Sequence, residues 1–133
     1  MSESDEELDA IRDRKREELA KRAGGGDAPD EPIHVNGAEE FDEVVAGHDV
    51  VLVDFYADWC GPCKMLEPTI ETLAADSPAT VAKVDIDANQ AIAQSHGIRG
   101  VPTLQLYAGG RQVEQFVGVQ DEATLRSAIE QHA

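Results

Sequence analysis

The chain has 133 residues, of which 27 are acidic and 11 are basic, so its formal net charge is −16. Its length suits one domain with a core that needs no structural disulfide or metal, and no stretch approaches the roughly 20 apolar residues of a membrane span. The charge argues against nucleic acid or an anionic membrane as a direct ligand, because phosphate binding requires clustered Lys and Arg.

Residues 1–30 differ in composition from residues 31–133, and we predict an N-terminal extension followed by one folded domain. Ser4–Arg22 has helical signals, with Ser4 as N-cap, but its apolar stripe is thin. The glycine-rich residues 24–30 are typical of a linker. The extension is either a solvated, partly helical tail or a docking segment that uses the basic cluster at residues 12–16.

Strand and helix patterns alternate after the extension, in the order βαβαβ and then ββα. The predicted strands are Ile33–Val35, Val50–Tyr56, Thr80–Asp85, Thr103–Tyr107 and Gln112–Val117. The predicted helices run from the N-cap Asn36 to about Val45, from about Cys60 to Ala75 with a break or kink at Pro68, from Gln90 to His96, and from Asp121 onward. This order predicts an α/β fold with a central mixed β-sheet flanked by helices.

Both cysteines lie in the segment Trp59-Cys60-Gly61-Pro62-Cys63-Lys64, which directly follows the apolar strand Val50–Tyr56. A bare C-x-x-C could be half of a zinc site or an inert pair. One that follows a buried strand and opens a helix indicates a redox-active dithiol. A disulfide between the two cysteines would stabilise the fold little, because the loop that it closes is very short.

Four separated segments resemble the thioredoxin family and occur in the family's order: residues 53–64, residues 81–87, residues 97–103 and Gly118. The resemblance covers Ile33 to the C-terminus. It implies the thioredoxin fold, protein-disulfide reductase activity and no cofactor beyond the Cys60–Cys63 pair. Its implied partners are thioredoxin reductase and disulfide-containing client proteins.

The predicted catalytic residues are Cys60, Cys63, Asp54 and Lys83. Unpaired N–H groups at a helix N-terminus favour the thiolate of Cys60, so we predict that Cys60 is the nucleophile and that Cys63, one turn deeper, resolves the mixed disulfide. Glu67 departs from the family, where the position before Pro68 is usually small, and could alter the charge beside the active-site helix.

Asp54 is a carboxylate within an otherwise apolar central strand, so we expect burial to raise its pKa. The resemblance implies that Asp54 accepts a proton from Cys63 through water, and that Lys83 is its charge partner. The alternative is that Asp54 is only a satisfied buried polar group.

The resemblance also implies a cis-proline loop at Val101-Pro102, which faces the dithiol and keeps metals from the cysteines. A shallow apolar platform would bind clients mainly through backbone pairing. Its predicted residues are Trp59, Gly61, Pro62, Ile86, Val101, Pro102, Val117 and Gly118. For Trp59 alone, core packing is the alternative. No metal site is expected, because the four histidines lack ligand spacing with the cysteines.

The leading functional hypothesis is a monomeric disulfide reductase. The acidic N-terminus lacks the apolar segment of a signal peptide, so a cytoplasmic setting is expected. A binding or chaperone-like module that uses this fold without redox turnover is the alternative, and a dedicated oxidase or isomerase fits poorly. The acid-rich, lysine-poor composition also favours adaptation to concentrated salt, which screens self-repulsion.

Overall fold

The computed structural model describes residues 29–133. The predicted helix and the basic docking cluster of the extension lie outside these residues. The strands are β1 (Ile33–His34), β2 (Val50–Tyr56), β3 (Thr80–Asp85), β4 (Thr103–Ala108) and β5 (Arg111–Val117). The helices are α1 (Ala38–Gly47), α2 (Gly61–Asp76), α3 (Gln90–Ser95) and α4 (Glu122–His132). The predicted order of elements is confirmed.

The five strands form one mixed sheet in the order β1-β3-β2-β4-β5, with β2 at its centre. On one side β2 pairs in parallel with β3, from Val51 opposite Thr80 to Tyr56 opposite Asp85. On the other side it pairs antiparallel with β4, and β5 continues antiparallel beyond β4. Both edges of β2 are therefore hydrogen-bonded, and the predicted mixed sheet is confirmed.

Alternate residues of a strand point to opposite faces of the sheet, so both faces carry apolar side chains. Two helices cover each face. One face packs against α2 and α4 through Leu52, Val81, Leu104, Leu66, Ile70, Leu125 and Ile129. The other face packs against α1 and α3 through Val51, Val53, Phe55, Val84, Phe41, Val45 and Ile92. Burial of each of these side chains stabilises the fold by about 1.5–3 kcal/mol. Strand β2 is buried on both faces, as its continuous apolar run predicts.

The start of α1 differs from the prediction. Gly37, not Asn36, is the N-cap residue, and it adopts a φ of 93° that favours glycine. The backbone N–H of Gly37 donates to Oδ1 of Asn89 over 2.8 Å. A side chain that is distant in sequence therefore supplies a hydrogen-bond acceptor at the start of the helix. The predicted N-cap role of Asn36 is therefore wrong.

Helix α2 continues through Pro68 without the predicted break. Proline removes one backbone donor from the helix, yet the buried residues Leu66, Ile70 and Leu73 lie on both sides of it and pack into the same core. This packing keeps both halves of α2 on the sheet, with the dithiol at the helix N-terminus.

We predict that Asn89→Ala lowers the free energy of unfolding by about 2 kcal/mol, because it removes three side-chain hydrogen bonds, one of them to the buried carbonyl oxygen of Val35. The Asn89 side chain accepts from Gly37 and donates to the carbonyl oxygens of Asp85 and Val35 over 3.1 and 3.4 Å. Urea unfolding measures the change. Asn36→Ala is the matched control and should stay within about 0.5 kcal/mol of the wild type. Equal effects of the two substitutions would contradict the assignment.

Candidate active site

The dithiol lies where the chain leaves β2 and enters α2. Cys60 is the N-cap residue of α2, and its Sγ accepts a hydrogen bond from the backbone N–H of Cys63 over 3.1 Å. Pro62 lies in the first turn, where its missing N–H removes no helical bond. Cys60 and Cys63 are joined by a disulfide, with Cα atoms 5.3 Å apart. In the reduced state, the same N–H and the helix dipole would favour a thiolate at Cys60.

The two cysteines do not differ in burial. Each is 3% exposed, although the sequence predicts that Cys63 lies deeper. The difference between them is in position: Cys60 precedes the first helical turn and receives the N–H, whereas Cys63 belongs to that turn. Helix geometry, rather than exposure, distinguishes the two sulfurs.

A second loop faces the dithiol. The Val101-Pro102 peptide bond is cis, as the resemblance implies, and the carbonyl oxygen of Val101 lies 3.6 Å from Sγ of Cys60. The backbone N–H of Gly118 donates to the carbonyl oxygen of Pro102 over 2.8 Å. Gly118 has a φ of 91°, a conformation that favours glycine. The loop before β4 and the end of β5 therefore meet beside Cys60.

Trp59 is 69% exposed, so the alternative that it packs in the core is wrong. Its indole Nε1 donates to Oδ2 of Asp87 over 2.9 Å, which anchors the ring on the loop after β3. Asp87 follows β3 in a turn, in which Oδ1 of Asp85 accepts from the N–H of Asp87. The sequence analysis does not predict the contact of Asp87 with Trp59. An exposed indole N–H can donate to water, so the sequence carries no signal for this contact.

The other predicted platform residues contribute in different ways. Gly61, Pro62 and Val117 are exposed, and Ile86 and Val101 are half-buried against the two cysteines. Gly118 is half-buried, whereas Pro102 is buried and so shapes the loop rather than the contact surface. Met65, which the sequence reasoning misses, follows the dithiol on α2 and is 74% exposed.

Asp54 lies on the sheet face that α2 covers. It is 1% exposed, and its Oδ1 has no hydrogen-bond partner within residues 29–133. Burial raises the pKa of Asp54 to about 7, Lys83 opposes this rise, and Glu67 adds to it. The expected direction of the shift is confirmed. The role of Asp54, whether in proton transfer or only as a buried polar group, stays a prediction.

Lys83 is opposite Asp54 in the register of β3 and β2, yet its ammonium group does not lie within 4.0 Å of that carboxylate. The nitrogen Nζ is instead 3.9 Å from Oε1 of Glu67 and 4.5 Å from the centroid of the Tyr56 ring. Lys83 therefore acts on Asp54 only through space. The sequence predicts the strand pairing correctly but not the position of the Lys83 ammonium group.

Within residues 29–133, no group of three or more His, Cys, Asp or Glu side chains is placed to hold a metal ion. In the same part of the chain, no helix has the length and apolar character needed to cross a bilayer.

Comparison with known proteins identifies the family. Residues 32–131 match the family described as Thioredoxin. The chain belongs to the thioredoxin family. A thioredoxin from Chlamydia trachomatis is 43% identical over 101 residues, which are 75% of this chain and 98% of that protein. A bifunctional thioredoxin reductase/thioredoxin from Mycobacterium leprae is 41% identical over 95 residues, 70% of this chain and 21% of that protein.

Among solved structures, a mutant thioredoxin from Halobacterium salinarum is 59% identical, with a TM-score of 0.77, and the match covers 79% of this chain and 93% of that one. The thioredoxin fold predicted from the sequence is confirmed. Membership of the thioredoxin family also confirms the predicted activity: the protein is a thiol–disulfide oxidoreductase of the disulfide-reductase type and needs no cofactor beyond its own dithiol.

We predict that Asp54→Asn stabilises the protein more at about pH 8 than at about pH 5. Folded Asp54 keeps its proton up to a pKa of about 7, while the unfolded carboxyl ionises above 3.8. The folded state therefore binds more protons in this window, and stability is lost as the pH rises through it. The stabilisation should grow by about 2–3 kcal/mol between the two pH values.

Urea unfolding of the oxidised protein in molar KCl measures this effect. Asp49→Asn, at an exposed position just before β2, is the control and should show no such growth. A stabilisation that is equal at both pH values would contradict the raised pKa of Asp54.

Proposed function

We propose that the protein reduces disulfide bonds of client proteins, with Cys60 as nucleophile, Cys63 as resolving thiol and Asp54 as proton acceptor. The observation that carries this proposal is the 3.1 Å hydrogen bond from the N–H of Cys63 to Sγ of Cys60 at the start of α2. A donor in that position stabilises a thiolate at Cys60 before attack. Cys63 has no equivalent donor among its contacts in residues 29–133.

Each turnover transfers two electrons to the client. The Cys60 thiolate attacks one client sulfur, the client S–S bond breaks, and a mixed disulfide forms while the first client thiolate takes a proton from water. Cys63 then gives its proton through water to Asp54 and attacks Sγ of Cys60. The mixed disulfide breaks, the second client thiolate leaves and is protonated, and the Cys60–Cys63 disulfide remains.

Asp54 suits the second step because its pKa of about 7 allows it to be ionised, and still basic, near neutral pH. It shares the buried sheet face with Leu52 and Leu104, which pack with Leu66 of α2 in one core cluster. Cys63 is in the first turn of the same helix and is also buried. Lys83 adds a positive charge that stabilises the ionised Asp54 at longer range.

Clients would bind on the surface that surrounds the dithiol. Exposed Trp59 and Val117, with the half-buried Ile86 and Val101, offer apolar contact. The remaining proposed contacts are the backbone and ring atoms of Gly61, Pro62, Pro102 and Gly118. A shallow surface of this kind supports broad specificity, because main-chain pairing does not read the client sequence.

The proposed electron donor is a thioredoxin reductase. The Mycobacterium leprae relative carries both names in one protein, which supports this pairing. We propose that the protein works in the cytoplasm as a monomer, where reducing conditions keep it in the dithiol state. Residues 31–133 would form the catalytic domain, with residues 1–30 as an extension.

We predict that wild type reduces a disulfide-bonded protein with dithiothreitol as donor, and that Cys60→Ser and Cys63→Ser abolish turnover. Cys63→Ser should also trap the client on Cys60 as a mixed disulfide, because resolution requires the second thiol. Non-reducing electrophoresis and mass spectrometry detect the adduct. Cys60→Ser is the matched control and should trap much less client. No acceleration over dithiothreitol alone would favour the non-catalytic binding module.

We also propose adaptation to concentrated salt, supported by the net charge of −16 and by the Halobacterium salinarum neighbour. Molar KCl should raise the melting temperature by several degrees, because screening removes repulsion among the carboxylates. Thermal unfolding at rising KCl concentration, with sorbitol at matched osmolality as control, measures this effect. Full stability at low ionic strength with no gain from KCl would contradict the proposal.

A further inference from the structure

Glu67 connects the dithiol helix to the buried proton acceptor. It lies four residues after Cys63 on α2, so the two side chains project from the same side of the helix. Half of its side chain is exposed, yet its Oε1 lies 3.9 Å from Nζ of the mostly buried Lys83. The contact therefore brings a solvent-facing carboxylate to the lysine that is paired with Asp54 across the strands.

We propose that Glu67 is a positioning residue for proton transfer: it holds the Lys83 ammonium away from Asp54 and so keeps Asp54 a stronger proton acceptor. This inference rests on the role of Asp54 proposed above. Two contacts fix the ammonium, with Glu67 on one side and the Tyr56 ring 4.5 Å away on the other. No protein donor within residues 29–133 reaches Oδ1 of Asp54.

Titratable groups face Asp54 from three of the elements packed around it. Strand β3 contributes Lys83, α2 contributes Glu67, and β2 itself contributes the Tyr56 phenol. The neighbouring positions of β4 and α4 are the apolar residues Leu104, Leu125 and Ile129. Burial raises the pKa of Asp54 most, Lys83 lowers it, and Glu67 raises it. One cation and one anion therefore adjust a pKa that burial has already raised.

The consequence concerns the second chemical step. A lysine in direct contact with Asp54 would keep the carboxylate ionised but weakly basic, which would slow removal of the Cys63 proton. With the ammonium shared by Glu67, Asp54 exchanges its proton nearer to neutral pH. Glu67 thus sets the pH range in which resolution is fast, without touching the reacting sulfurs.

The direct test is the titration of Asp54 in Glu67→Gln, followed by carbon NMR of the Asp54 carboxyl. The oxidised protein is used because its cysteines do not titrate. The substitution removes the charge but keeps the shape of the side chain, so the pKa of Asp54 should fall by about one-half to one unit. Glu71→Gln, an exposed change one turn further along α2, is the matched control and should shift it much less.

A double-mutant cycle separates the action through Lys83 from direct repulsion. In the Lys83→Met background, Glu67→Gln should shift the pKa of Asp54 less than in wild type, because no ammonium remains to be released. An equal shift in both backgrounds would leave only direct repulsion and overturn the proposal. No shift in the wild-type background would overturn it as well.

Kinetics then connect the titration to turnover. The pH profile of mixed-disulfide resolution should move to lower pH in Glu67→Gln by the same amount as the pKa of Asp54, and the first attack should keep its rate. Asp54→Asn should flatten the profile. If Asp54→Asn leaves it unchanged, the proposed role of Asp54 fails; if only Glu67→Gln leaves it unchanged, the inference about Glu67 fails.

Discussion

The burial of strand β2 on both faces and both edges is the constraint on which the rest of the site depends. Hydrogen bonds to β3 and β4 and the cover of four helices exclude water from Val50 to Phe55. The free-energy cost of burying a carboxylate in this strand falls when the carboxylate binds a proton or attracts a cation. Because only a short loop separates the end of β2 from the start of α2, the same strand also sets the position of the dithiol.

In this protein Asp54 relies more on binding a proton than on attracting a cation. A buried ion pair between Asp54 and Lys83 would stabilise the anion, but the ammonium group is instead held by Glu67 and the Tyr56 ring. Burial therefore raises the pKa of Asp54 to about 7, and the stability of the folded state falls as the pH rises from 3.8, the value of the free carboxyl, through that pKa. Such a loss is expected where a group is placed for chemistry rather than for packing.

Local sequence patterns predict those parts of the fold that depend on neighbours along the chain. The local sequence predicts β2 and β3 with their observed bounds, and the spacing of the cysteines predicts the helix start that carries them. The N-cap of α1 is different, because its partner Asn89 is 52 positions away from Gly37. The position of the Lys83 ammonium could not be predicted for the same reason. Strand register sets the Cα position of Lys83, while contacts with a helix and a ring determine where its ammonium lies.

The asymmetry between the two sulfurs arises from the helix. Equal burial gives neither cysteine an advantage in reaching a client, whereas the N-cap position gives Cys60 a backbone donor that Cys63 lacks within the described domain. In the proposed mechanism that donor stabilises a thiolate at Cys60 but does nothing for Cys63, which must lose its proton by another route. Asp54, a buried acid with a pKa of about 7, is the proposed route. Under this proposal the helix N-terminus determines which sulfur attacks first, and the sheet beneath it determines when the second one can follow.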